Sequence, residues 1–161
     1  MDATDFGELA YFLAARSTCL RRRYGAVIVD PVSKHIISTG INGSPTGKEH
    51  CTDKQWCLRE ELNIPPGSDY LLCTSIHAEA NAIIRAGMRD TTGSYLYIAG
   101  FEVKTSLPVV KPTPCFQCTK MIINAHISKV FLYNKRNVIE VDIDLLYDQY
   151  VQDLFNRGKQ E

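Results

Sequence analysis

Two short stretches far apart in the chain constrain its fold more than any other feature: His77-Ala78-Glu79 and Pro114-Cys115-Phe116-Gln117-Cys118. Together they offer one imidazole, two thiols and one carboxylate, and each opens onto a run of apolar residues at helical spacing. Imidazole and thiolate are zinc ligands. Three protein ligands keep the fourth position of a tetrahedral ion open, whereas a fourth would close it and leave only a structural role. For His77, Cys115 and Cys118 to share one ion, both helices must start on one face of a common layer, as strands alternating with helices allow in an α/β sandwich.

The order H-x-E followed by P-C-x-x-C matches the known signature of zinc-dependent nucleobase deaminases. Its physics can be rebuilt from these residues. Cys115 and Cys118 stand three apart, which on a helix places both sulfurs on one face a turn apart. Pro114 suits the first turn of that helix, where its missing N–H costs nothing. Unpaired N–H groups and the positive dipole end at that point favour thiolates, the form that binds metal. Glu79, two positions beyond His77, is close enough to touch a bound water without being needed as a ligand. Zinc lowers the pKa of its water from about 15.7 toward about 7. Glu79 can take that proton, pass it to a ring nitrogen, and then protonate the departing amine, acting first as base and then as acid. The plain alternative is that His77 and Glu79 begin an ordinary amphipathic helix and the cysteines are a small buried pair. Either half alone has several explanations; both halves in this order favour the zinc site.

At 161 residues the chain is read as a single domain, 1–161, long enough to bury a substantial core. Lys+Arg and Asp+Glu both total 18, so there is no bulk basic field to hold a polynucleotide, and a small-molecule substrate is expected. The start, Met1-Asp2-Ala3-Thr4-Asp5, lacks the basic and apolar regions of a secretory signal, and no apolar run reaches membrane-spanning length. The expectation is a cytoplasmic chain with no membrane partner. In a reducing compartment its six cysteines are better explained as metal ligands or buried thiols than as disulfides.

Apolar spacing predicts a first helix from a cap at Thr4 or Asp5 to near Cys19. Two β-branched runs, 25–29 and 35–39, flank the turn signal Asp30-Pro31 and make a hairpin. Residues 42–47 form a loop, and 58–62 a single helical turn before Pro65-Pro66. A helix over 79–88 packs through Ala80, Ile83, Ile84 and Gly87. A strand over 94–99, a helix over 116–125 and a strand over 129–133 follow. In the tail Val138, Val141, Ile143 and Leu145 suggest an extended start, with helix from about Asp144. The sheet therefore has four or five strands.

Residues 6–133 resemble the deoxycytidylate deaminases of the zinc-dependent cytidine deaminase superfamily. The likeness runs through Ser17-Thr18-Cys19-Leu20-Arg21-Arg22, Gly25-Ala26-Val27, Ser38-Thr39-Gly40, Asn42-Gly43-Ser44-Pro45, Cys57-Leu58-Arg59-Glu60-Glu61-Leu62, Ile76-His77-Ala78-Glu79-Ala80-Asn81-Ala82-Ile83 and Cys118-Thr119-Lys120-Met121-Ile122-Ile123-Asn124-Ala125. It implies a three-layer α/β/α sandwich around a mixed sheet. It also implies hydrolytic conversion of dCMP to dUMP and ammonia, feeding thymidylate synthesis, in a homo-oligomer that is often a hexamer. Three departures stand out. Gly40-Ile41-Asn42-Gly43 lacks the aromatic residue of the family's regulatory loop, so control by dCTP and dTTP does not carry over with the likeness. About ten extra residues lie within 100–113, where they can cover the pocket, alter specificity or contact a neighbouring subunit. The tail does not show the family's usual final helix and strand.

The resemblance assigns Asn42 to the substrate's sugar, its alternative being a turn residue. Asn81 reads as a surface or helix-packing amide. Arg21, Arg22 and Arg23 suit a phosphate, while for at least one of them a solvated basic corner is the plainer reading. Cys19, Cys51, Cys57 and Cys73, with His50 as an alternative ligand, are expected to form a second, structural zinc site. Sulfur count, a reducing compartment and family members with an extra metal carry that expectation, against disulfides or isolated thiols. Two other functions are weighed: deamination of another nucleobase, nucleoside or nucleic-acid base, and a zinc-stabilised binding protein without turnover. Glu79 argues against the last, since structure alone needs no carboxylate at the water position.

Overall fold

A computed structural model describes residues 1–159. The elements in chain order are α1 (Ala3–Ala14), β1 (Arg22–Val29), β2 (Ile36–Ile41), α2 (Cys51–Lys54), α3 (Leu58–Glu61), a 3-10 turn (Tyr70–Leu72), α4 (Ala78–Ala86), α5 (Met88–Thr91), β3 (Tyr95–Glu102), α6 (Phe116–Asn124), β4 (Lys129–Tyr133), β5 (Val138–Val141) and α7 (Ile143–Arg157). The five strands form one mixed sheet in the order β2-β1-β3-β4-β5. Only the β3–β4 pair is parallel.

Period-two alternation splits the core between two layers. Ala26, Ile28, Leu96, Ile98, Val130 and Leu132 turn toward α4 and α6, burying Ala78, Ala82 and Ile122. Val27, Val29, Tyr97, Ala99 and Tyr133 turn the other way, against Phe6 and Ala10 of α1. With helices on both faces, residues 25–29 of β1 are buried without interruption, as a central strand requires.

Glycine sets the helix–sheet distance at two points. A Cβ on Gly25 would lie 2.0 Å from the Ala10 carbonyl oxygen of α1, and one on Gly40 would lie 2.0 Å from the Ala78 carbonyl oxygen of α4. This closeness explains why α4 packs through Ala78, Ala80 and Ala82 while Ile84 is exposed. Of the expected face of Ala80, Ile83, Ile84 and Gly87, Ala80 is buried and Ile83 packs against the core, while Ile84 and Gly87 are exposed; Ala78 and Ala82 take the positions nearest the sheet, where this close approach leaves room for small side chains.

The first helix differs from expectation at both ends, while the tail follows it, an extended start and then a helix from close to Asp144. Asp2 caps α1 in a capping box with Asp5, and the helix stops at Ala14 because the chain turns so that Ser17 Oγ can donate to Asn42. The tail supplies both a strand and a helix. Val138 to Val141 pair with β4, and Asp142 caps α7 through the amides of Asp144 and Leu145.

Candidate active site

β2 and β3 are each antiparallel to β1, so they run in the same direction. The chain leaves both at one end of the sheet, and α4, reached after α2 and α3, and α6 both begin there. Asn81 Nδ2 ties the first turn of α4 to the end of β2 through the Ile41 carbonyl (2.8 Å), the helix-packing role expected of it. His77 is the N-cap of α4, Cys115 the N-cap of α6, and Cys118 lies in the first turn of α6. Pro114 therefore precedes the cap and is not in the first turn as expected. Its carbonyl accepts a hydrogen bond from Tyr150 of α7 (2.7 Å), which secures the approach to Cys115.

His77 Nδ1 lies 3.3 Å from Cys115 Sγ and 3.5 Å from Cys118 Sγ, and the three ligand atoms all fall within 4.8 Å of one another. A tetrahedral zinc with ordinary Zn–N and Zn–S bonds separates nitrogen and sulfur by about 3.5 Å, so the residues present fit that ion. Without metal, the hydrogen bond from Cys118 pulls the Cys115 thiol down to about 4 against the cost of burial, with His77 assisting. Cys118, holding the shared proton in a buried place, is pushed up. Burial works against a charged His77, but the Cys115 hydrogen bond and the Glu79 carboxylate outweigh it and the imidazole is raised. Glu79 is buried beside this group, and loss of solvent holds its carboxyl above the usual range against the pull of His77.

One cavity collects most of the residues singled out from sequence. His77, Glu79, Cys115, Asn42, Arg21 and Arg22 all line it. Asn42 is held firmly: its Oδ1 accepts from Ser17 Oγ (2.6 Å) and the Tyr24 amide (2.7 Å), and Nδ2 donates to the Arg22 carbonyl (2.9 Å). One amide N–H remains for a ligand. Arg22 pairs with Glu102 (Nε to Oε1, 2.9 Å), where the 100–113 segment begins. Arg23, next along the strand, points to the opposite side and donates to the Ala15 and Cys19 carbonyls. Its place in a phosphate cluster is corrected to that of a brace at the end of α1. The 100–113 segment folds back on β3, with Glu102 and Gly100 bonded to Leu107 and Val109, and reaches the cavity through Thr113.

The four remaining cysteines are not gathered at ligand distance. Among the described residues, His77, Cys115 and Cys118 are the one group of three or more such side chains brought that close. His50 Nδ1 meets Thr18 Oγ1 (3.2 Å), Cys51 Sγ faces Thr74 Oγ1 (3.6 Å), and burial raises the Cys19 thiol. The second site expected from Cys19, Cys51, Cys57 and Cys73 is thus not formed in this geometry. Arginine fastens the polar segment instead. Arg59 donates to the Asp69 and Pro65 carbonyls (2.9 Å each), and Arg21 to that of Ile64 (3.3 Å).

Arg59 is also the cavity residue that the sequence reading missed, because Leu58-Arg59-Glu60-Glu61-Leu62 looks like a solvated helical turn. It is only 5 % exposed and lies over Tyr70, 4.7 Å from the ring centre. Tyr70 in turn meets the His77 ring edge-on at 4.9 Å. Tyr24 lines the cavity too, its hydroxyl pushed up to about 12 chiefly by burial.

Residues 2–134 match the family described as "Cytidine and deoxycytidylate deaminase zinc-binding region". Deoxycytidylate deaminase of Mycobacterium phage D29 is 33% identical over 141 residues, covering 81% of this chain and 95% of that protein. Deoxycytidylate deaminase of Schizosaccharomyces pombe is 30% identical over 147 residues, 91% of this chain but 41% of that longer protein. The crystal structure of dCMP deaminase from cyanophage S-TIM5 in apo form has the same fold, with a TM-score of 0.57 over 92% of this chain and 94% of that one at 24% identity.

Proposed function

The chain belongs to the cytidine and deoxycytidylate deaminase zinc-binding family, and from that premise we propose that it hydrolyses dCMP to dUMP and ammonia. The observation that carries the reading is a single cavity lined by His77, Cys115, buried Glu79 and arginines able to meet a phosphate, with buried Cys118 completing the ligand cluster behind it. Similarity to proteins named deoxycytidylate deaminase supports the choice of substrate.

When bound, zinc supplies an acidified water at its open position. Everything else falls to the chain's own side chains. Glu79, with its carboxyl held above the ordinary range by burial, is a better proton acceptor than a solvated carboxylate and can accept a proton and return it. It gives that proton to the ring nitrogen beside the amino-bearing carbon as the water oxygen bonds to that carbon, then takes the second proton from the same oxygen and delivers it to the amine as the carbon–nitrogen bond breaks and the carbonyl forms. Asn42 offers its remaining amide N–H to a sugar hydroxyl. Arginine at the cavity meets the 5′-phosphate. We extend the proposal to a homo-oligomer, hexameric by the family likeness, in which exposed Val151, Leu154 and Phe155 of α7 are available for subunit contact.

Ammonia release from dCMP, deoxycytidine, cytosine, adenine and guanine compounds tests the reading. It predicts turnover highest on dCMP. A purine or free base as the best substrate would reassign the activity, and no release from any compound by zinc-loaded protein would leave a binding protein. No helix among the described residues is long and apolar enough to cross a membrane.

A further inference from the structure

We infer that Arg59 is the specificity-determining ligand of the substrate's 5′-phosphate, so that this buried guanidinium, more than the Arg21-Arg22-Arg23 run, selects a nucleoside monophosphate over a nucleoside. The inference rests on the reading of the chain as a dCMP deaminase. Removing a guanidinium from water is expensive unless an acid or a full set of acceptors meets it. Arg59 has neither. The salt bridges among the described residues are Arg22–Glu102, Lys129–Glu140 and Lys135–Glu8, and none involves Arg59. Its bonds to the Asp69 and Pro65 carbonyls use two of five N–H donors, and Tyr70 covers one face. The remaining donors have no protein acceptor, and the side chain lines the cavity that holds His77 and Glu79. Ser75 Oγ, buried without a hydrogen-bond partner, lines the same cavity and is a second donor lacking an acceptor.

A planar fork with a full charge fits two phosphate oxygens at once. The placement also suits a nucleotide: Arg59 and His77 border the same Tyr70 ring, 4.7 and 4.9 Å from its centre, so a ligand whose base reaches the metal cluster can present its phosphate to Arg59. The neighbouring cations are less suited. Glu102 holds Arg22, Arg23 is turned to α1, and Arg21 is less buried and makes a single long bond to Ile64.

The test compares kcat/KM for dCMP and for deoxycytidine in the zinc-loaded full chain and in Arg59→Gln. Loss of a two-point charged contact should lower the dCMP-to-deoxycytidine ratio by about 10- to 100-fold. If Arg59 only fastens residues 62–70, loosening that segment weakens both substrates together and the ratio stays put, which overturns the inference while dCMP remains the substrate. Should the unmodified protein show no preference for dCMP, the underlying reading fails, and this inference with it. If Arg59→Gln does not fold, Arg59→Lys carries the test by keeping the charge and losing the fork. A ratio lowered at least about fivefold supports the assignment, and an unchanged ratio refutes it.

Discussion

Gly40→Ala puts the link between packing and the metal site to a severe test. The added Cβ would sit 2.0 Å from the Ala78 carbonyl oxygen and 2.6 Å from the Ala82 nitrogen, both backbone atoms of α4. No rotamer can relieve such a contact, so α4 must retreat by about 1 Å to restore an ordinary separation. Overpacking of this kind costs about 1–3 kcal/mol. A smaller chain entropy in the unfolded state returns about 0.4–1 kcal/mol, since Gly40 needs no left-handed backbone. The clash therefore wins, and urea unfolding should show a net loss of about 1–2 kcal/mol. Because His77 caps the helix that moves, its 3.3 and 3.5 Å spacings to the two sulfurs widen. Competition with a chelator should then show zinc held about 10- to 100-fold more weakly. Gly25→Ala is the control: its Cβ would meet the Ala10 carbonyl oxygen at the same 2.0 Å, but the helix displaced is α1, on the far face. It should cost comparable stability and leave zinc affinity alone. Equal effects of the two substitutions on zinc, or a Gly40→Ala protein as stable as the unmodified one, would refute the reasoning.

Tyr150→Phe removes the bond to the Pro114 carbonyl and should cost about 1 kcal/mol at neutral pH. The Tyr150 hydroxyl is pushed up to about 12, first by burial and then by nearby Cys115. Its native pKa thus lies above the ordinary value of 10, and the stability it contributes is complete below pH 10 and lost as pH rises through about 12. Unfolding curves of the two proteins should converge over that window; a constant gap would place the effect elsewhere. Metal analysis of protein purified without chelator should count one zinc per chain, and Cys57→Ser should leave that count unchanged, since the Cys19, Cys51, Cys57 and Cys73 sulfurs are not drawn together. Two ions per chain, one of them lost in Cys57→Ser, would show that those thiols close on a metal.

The hairpin of β1 and β2, the strand–helix–strand run of β3, α6 and β4, and the zinc ligands His77, Cys115 and Cys118 are legible in the sequence because each is written in local pattern: β-branched runs, turn residues, and ligands at helix starts. What escaped it depends on contacts across the chain. The packing face of α4 turns onto Ala78 and Ala82, with Ile83 at its side and Ile84 exposed, because Gly40, far away in sequence, sets the approach distance. The extended start of the tail is visible in Val138 and Val141, but that it joins the sheet as β5 depends on its pairing with β4. Counting sulfurs suggested a second metal because the segment after residue 42 has little apolar material. It could not show that Arg59 and Arg21 would tie residues 64, 65 and 69 by their carbonyls instead. Arg59 itself sits in a charged run indistinguishable from a solvated helix surface, and only burial reveals it. Arg22 and Arg23 looked equivalent until strand alternation sent them to opposite sides.

Glu79→Gln is the most direct test of the central claim, that a zinc site left open by three ligands is worked by one buried carboxylate. The substitution keeps volume and every ligand while removing the proton carrier. Zinc content and ammonia release from dCMP, measured on the same preparation, should show an unchanged ion-to-chain ratio and turnover reduced by at least about 10²- to 10⁴-fold. Near-normal turnover with zinc retained would contradict the role given to Glu79.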